Sequence, residues 1–286
     1  MIKAKMRKEL LRKTIIYTGL ILFSLFVLFP FAIMLISSFK HKEETIGDFT
    51  WWPKMGFTLQ GYENALEKVS SSTSIVDGFF NTLKIIIPPT IIGLLVSTLA
   101  AYAFAKLRFR GKKVMFGLLI ATMMVPGIAT LVPSYIIWDY LGVTMNAPFV
   151  PLMIPGMFGT AACVFFMRQA IFSIPDSVIE ASYIDGLGPF GCFRKIVLPL
   201  VKPALLSQGI LGFVAGYNDY FGPLIYLKKP EYQTLQVAVS VFSDRYSGDW
   251  PSILAANVVA IIPTVLIYIF VQKYFIEGIT AGGEKG

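Results

Sequence analysis

The chain has 286 residues, 55% hydrophobic, 14% aromatic and only 15% charged, and its mean hydropathy is +0.67. Soluble domains carry about 25% charged residues, so this composition excludes an ordinary soluble domain and indicates an all-α polytopic membrane protein. The formal net charge of +8 sits in short clusters between long apolar runs, as a topology signal does and a nucleic-acid surface does not. Cys163 and Cys192 are the only cysteines; they exclude a disulfide framework or a zinc site and read as packing residues.

Residues 1–14 form a basic tail, with Lys3, Lys5, Arg7, Lys8, Arg12 and Lys13 against the single acid Glu9. Such an end stays on the cytoplasmic side. Residues 15–37 are apolar throughout and about long enough for the ~20 residues a spanning helix needs, longer than a signal-peptide core, which predicts a retained first helix. Residues 38–75 are polar, and over 38–81 the acids Glu43, Glu44, Asp48, Glu63, Glu67 and Asp77 outnumber Lys40, Lys42, Lys54 and Lys68. This segment is assigned outside, with Trp51, Trp52 and Tyr62 as interfacial aromatics and the lone His41 as a solvated side chain.

Residues 76–275 then carry five more apolar runs. Leu83 to Ala105 is followed by Lys106, Arg108, Arg110, Lys112 and Lys113, an inside loop without an acid. Gly111-Lys112 is not a phosphate loop, because Lys106 and Lys113 stand where that motif needs a glycine and a serine or threonine. Val114 to Trp138 holds Pro126 and Pro133, which predicts kinks near the bilayer middle. Phe149 to Phe172 is the fourth run. Pro203 to Tyr226 is the fifth, with Gly209, Gly212 and Gly216 on nearly one face for close helix contact. Ser252 to Phe275 is the sixth, and residues 276–286 return to the inside. Six spans with both termini cytoplasmic result.

Between the fourth and fifth runs, residues 173–200 form a polar and amphipathic insert. Pro175 suits a first helical position and Asp176 a first turn. Gly186 after Asp185 is placed for a left-handed C-terminal cap, and Gly188-Pro189 opens a second helix with Phe190, Phe193, Ile196 and Val197 on one face, ending at Leu198-Pro199. The fifth run carries Tyr217, Asn218, Asp219 and Tyr220 about 20 Å along the helix from Pro203, in the outer half of the bilayer. Ionisable groups at that depth face a cavity or a bundle interior, and rings beside polar groups suit sugars; tying the fifth helix to its neighbours is the competing role.

The insert, with Glu180, Ala181, Ser182, Asp185 and Gly186 followed by Ile196, Leu198 and Pro199, resembles the EAA loop of permease subunits of binding-protein-dependent ABC importers. Ser182 departs from the alanine usual there, and Tyr217-Asn218 from the usual Trp-Asn. Asn81-Thr82-Leu83, Ala101 to Ala105 (Ala-Tyr-Ala-Phe-Ala), and Gln272-Lys273-Tyr274-Phe275 with Gly278 and the terminal Glu284-Lys285-Gly286 resemble the maltose-type sugar branch. The resemblance implies a type I importer permease fold whose insert is a cytoplasmic coupling helix docking on an ATPase, with Glu180 and Gly186 foremost. It implies as partners a second permease, by the maltose-type pattern a different chain, two ATPase subunits, an extracytoplasmic sugar-binding protein and the lipid bilayer, with no nucleic acid. The expected function is uptake of a sugar or oligosaccharide by alternating access, without catalytic residues, metal ligands or cofactor in this chain.

Two alternatives stay open: an importer of the same type for a polyamine, peptide or glycerol-phosphate compound, and a stand-alone ion-coupled carrier, for which Asp219 is the sole candidate coupling group. A membrane-embedded enzyme finds no support, since His-Glu-x-x-His, paired aspartates and Gly-x-Ser-x-Gly are absent.

Overall fold

The structure, a computed structural model, describes residues 2–45, 50–67 and 74–280. Asp48 and Lys68 of the outer loop and the terminal Glu284, Lys285 and Gly286 lie outside these. Among the described residues every regular element is helical. α1 (Ile2–Ser37) runs unbroken through the basic segment, and α2 (Gln60–Leu66) follows in the loop after it. α3 (Ile75–Lys106) starts at Ser74, whose Oγ accepts from the Asp77 amide at 3.0 Å. α4 (Lys112–Thr122) and α5 (Gly127–Tyr140) meet at 94°. The chain turns at Met123 to Pro126, so Pro126 stands at the N-cap of α5 rather than inside a kinked helix, while Pro133 stays inside α5. The cause is local: Pro126 disfavours helical backbone at Val125 and lacks an amide.

α6 (Val143–Asn146), α7 (Val150–Met157) and α8 (Ala161–Phe172) come next. The fourth apolar run is thus two helices, parted at Gly159, whose φ is +83°. α9 (Asp176–Ile184) and α10 (Pro189–Leu200) build the insert. α11 (Lys202–Tyr217) leaves α10 at 77°. The fifth run stops at Tyr217 and resumes only as α12 (Phe221–Tyr226), with Asn218 and Asp219 in the gap. α13 (Leu235–Arg245) and α14 (Trp250–Thr280) complete the chain. Four helices are long and apolar enough to cross a membrane, or up to six if each bent pair makes one span.

The chain divides into two compact units, Met1–Glu67 with Val239–Ile261, and Lys68–Ala238 with Ile262–Gly286. In the first, Ser38 and Tyr62 share a hydroxyl hydrogen bond of 2.7 Å, and the Glu44 carboxylate accepts from the Lys54 and Met55 amides at 2.6 and 3.0 Å. Those bonds hold the segment carrying Trp51, whose ring lies 5.8 Å from Phe29 of α1.

In the second unit α3 packs on α7, α8 and α11. The three glycines of α11 do face it: a Cβ at Gly209, Gly212 or Gly216 would meet Leu94, Thr90 or Ile86 at 3.3, 3.8 or 3.0 Å. On its other flank α3 crosses the α7–α8 junction at backbone distance. A Cβ at Gly93 would run into the Gly156 carbonyl oxygen, and one at Gly159 into the Ser97 hydroxyl. We expect Gly93→Ala to lower stability by about 1–3 kcal/mol, whereas Gly117→Ala in α4, with nothing within 4 Å of its Cβ, holds or gains up to about 1 kcal/mol. Thermal unfolding of the detergent-solubilised chain checks both; equal melting temperatures would contradict the close crossing.

Candidate functional site

The insert is built on a wedge of buried side chains. Ile174 and Ile179 on its first arm and Cys192, Phe193 and Val197 on its second bury against Ala101, Tyr102 and Phe104 of α3, Val164, Met167 and Ile171 of α8, and Val201 and Ala204. Pro175 lacks an amide and stands one position outside the helix, at the cap, so α9 opens at Asp176. Its buried face is Ile179 and Ser182, three residues apart. The Ser182 hydroxyl donates to the Ile179 carbonyl at 2.7 Å. This departure from alanine therefore buries no unsatisfied group.

α9 ends as its glycine requires. Gly186 has φ +82°, its amide donates to Tyr183 O at 3.0 Å and the Leu187 amide to Ser182 O at 3.0 Å, which is the paired bonding of a Schellman cap. α10 differs from a plain amphipathic helix. Phe193–Val197 is a wide π turn, and the helix continues past Leu198 and Pro199 to Leu200. The proline's missing amide falls where the ladder is already offset. Ile196 and Leu198 are half-buried, Pro199 is exposed, and Phe190, expected on the packed face, is 65% exposed.

The outer face of α9 carries Glu180, Ala181, Ile184 and Asp185, all exposed. Ile184 is 86% exposed. The Glu180 carboxylate has no hydrogen bond or ion pair within the described residues. Val178, Ile184 and Phe190 of the insert are likewise open to solvent.

The inner face is tied to α3 by polar contacts that the sequence reading did not anticipate. Lys106, in the last turn of α3, has a side chain only 6% exposed. Its Nζ donates to the Ile174 carbonyl and to Asp176 Oδ1, both at 2.6 Å, and lies 5.7 Å from the centre of the Phe172 ring. One turn earlier, the Tyr102 hydroxyl meets that of Tyr183 at 3.1 Å. Arg168 of α8 donates from Nε to Phe104 O at 3.2 Å and stacks over Phe116. Lys106 was legible as one charge of a basic loop; its partner, 70 residues away, was not.

A second feature lies inside the same unit. A cavity of about 280 Å³ is bounded by α3, α7, α8, α11 and α12 and lined by Thr90, Ser97, Thr160, Gln208 and Asp219 among small and apolar residues. Of the four residues read from the fifth run, only Asp219 lines it. Asp219 Oδ1 accepts from the Gly222 amide at 3.3 Å, capping α12. Tyr217 is buried and stacked on Phe213 at 5.7 Å. Asn218 donates to Val214 O at 2.9 Å and accepts from Gln236 at 3.5 Å, and Tyr220 packs on Phe221. Thr82, Thr90, Gly93 and Ser97 recur at helical spacing along α3, a signal by which the wall could have been found. Asn81 and Thr82 tie the first part of α3: Asn81 donates to Glu231 O and Gln233 O at 2.9 and 3.0 Å, and Thr82 Oγ1 accepts from the Leu235 amide at 2.9 Å.

The family model described as binding-protein-dependent transport system inner membrane component matches residues 93–280. A probable ABC transporter permease of Pyrococcus horikoshii is 34% identical over 253 residues, 88% of this chain and 90% of that protein. The arabinooligosaccharides transport system permease protein of Bacillus subtilis is 29% identical over 269 residues, 92% of each chain. The fold is shared with a chain of a bacterial ABC transporter involved in the import of the acidic polysaccharide alginate, with TM-score 0.78 and 23% identity over 94% of this chain and 98% of that one.

Asp176 gives the insert a pH signature. The hydrogen bond from Lys106, and then that ammonium's charge, hold its carboxyl below the usual carboxylate range. A depressed carboxyl contributes stability that is complete above its unfolded value of about 3.9 and is lost as pH falls through the folded value; the contribution is small because the carboxylate is exposed. A spin label at position 177 should stay immobilised from about pH 5 upward and loosen below about pH 4, and in Asp176→Asn its mobility should be raised and flat with pH. Identical profiles in the two chains would refute the contact.

Proposed function

Since the chain belongs to the family of binding-protein-dependent transport system inner membrane components, a family of multi-pass transport permeases, we propose that it forms half of the translocation pathway of an ATP-driven sugar or oligosaccharide importer and that α9 is its docking element for an ATPase subunit. The observation that carries this reading is the two-sided character of α9. One face is locked to the helices that bound the cavity, and the other presents an uncommitted Glu180 one turn from exposed Ile184. A conformational change in a bound ATPase moves the pathway only if its contacts with this face differ between nucleotide states. Gly186 fixes where α9 ends, and Ile196, Leu198 and Pro199 fix the second arm that supports it.

In this reading residues 173–200 are the coupling insert of a transmembrane core at 76–275, and each bent helix pair counts as one span, giving six. Residues 1–14 and 276–286 lie on the cytoplasmic side with the insert, and residues 38–75 outside. ATP is hydrolysed by two partner subunits. A second permease, by the pattern of maltose-type systems a different chain, completes the pathway, and an extracytoplasmic binding protein delivers the solute. The relative named for arabinooligosaccharides and the hydroxyls and the Gln208 amide set among the apolar lining of the cavity support a sugar. Asp219 is then the acidic group of the path, with Tyr217, Asn218 and Tyr220 holding the break that presents it.

Gentle purification of the tagged chain from its native membrane, with and without Glu180→Lys, tests the reading. An ATPase and a second permease should accompany the wild-type chain, and the ATPase should be lost from the variant. A chain that emerges alone and transports solute when reconstituted alone would refute it and make Asp219 the first place to seek ion coupling.

A further inference from the structure

α3 touches α9 at both ends of the surface helix from one face. Tyr102 and Lys106 are four residues apart, hence stacked on the same side of α3. Lys106 holds the start of α9 through Ile174 O and Asp176 Oδ1, and Tyr102 holds its last turn through Tyr183. Tyr102 is 2% exposed. Withdrawing α9 from this seat would strand the buried ammonium of Lys106 without its acceptors, a costly state. The same helix, unbroken from Thr90 to Lys106, lines the cavity with Thr90, Gly93 and Ser97. The Ala101–Ala105 stretch supplies the small residues that let the insert close on it: Ala101 is fully buried against the wedge.

We propose that Tyr102 and Lys106 form a two-point clamp that makes α3 and α9 move as one body, so that a displacement imposed on the surface helix reaches the cavity wall undiminished. They are positioning residues for energy coupling, and the proposal rests on the docking role assigned to α9 above. A joint held at one point pivots and dissipates the motion; one held at two points transmits it.

The test uses the complete complex and a native reporter, since Cys163 lines the cavity while Cys192 is fully buried. N-ethylmaleimide labelling of Cys163 is timed with and without MgATP and vanadate, beside hydrogen exchange over residues 176–184. In Lys106→Met, and more so in Lys106→Met with Tyr102→Phe, the ATPase subunits should stay bound and hydrolyse ATP. The nucleotide-dependent change in Cys163 labelling should shrink by about threefold to tenfold while exchange over 176–184 speeds up. Lys106→Arg should restore most of both. Should the methionine variant not assemble, Tyr102→Phe, which removes one oxygen atom, carries the same expectations. A double variant with the full nucleotide response, or with unchanged exchange, overturns the clamp. Absence of any ATPase from the wild-type complex overturns the docking reading instead, and exchange in the isolated chain then still decides whether the clamp exists.

Discussion

A chain that crosses a bilayer must satisfy its backbone amides and carbonyls from within, because the surrounding hydrocarbon offers them nothing. Here several apolar runs are broken, and each break has its own polar closure. At Gly159 the Thr160 amide donates to Ser97 Oγ at 3.2 Å and Thr160 Oγ1 accepts from the Cys163 amide at 3.2 Å. At the Asn218 break, Asn218 takes the Val214 carbonyl and Asp219 the Gly222 amide. At Met123 to Pro126 the Met124 and Val125 amides turn back to Ala121 and Thr122. The placing of these closures decides where the helices can stop, and so where a cavity can open between them.

That constraint gives α3 its central place. It supplies Ser97 to the α7–α8 break, presents Gly93 to the Gly156 backbone, receives the glycine face of α11, and ends in the residues that grip α9. Close packing through small residues needs no hydrophobic driving force between helices in lipid, only good contact. Polar ties then fix register at the two ends, Asn81 and Thr82 near its start and Tyr102 and Lys106 at its last turns. A helix pinned this way keeps one register against its neighbours along its length.

Much of the surface insert was legible because its signals are local. The positive φ of Gly186, the helix start beside Pro175 and the first-turn Asp176 are each set by a residue and its immediate neighbours. Less was legible in α10, where the wide turn at Phe193–Val197 carries the helix beyond Pro199 and leaves Phe190 exposed. Burial of Tyr217 against Phe213 likewise could not be read from an aromatic beside an asparagine, since the same pair serves packing or ligand contact according to what faces it. Nor does Pro126 announce a 94° turn rather than a kink; the angle depends on what the two arms meet.

The sequence by itself determined the membrane-spanning class, the order of the apolar runs, the place and outline of the insert, and the family resemblance. All of these follow from composition, charge asymmetry and motifs within a few residues of one another. Only the tertiary structure decided that Lys106 is a buried tie to a segment 70 residues on, that Asp219 alone of its group reaches the cavity, and that hydroxyls scattered along α3 form one wall. Such facts depend on side chains distant in sequence meeting in space. The free energy of a buried charge or an unpaired hydroxyl is set by its partner, which no local pattern names.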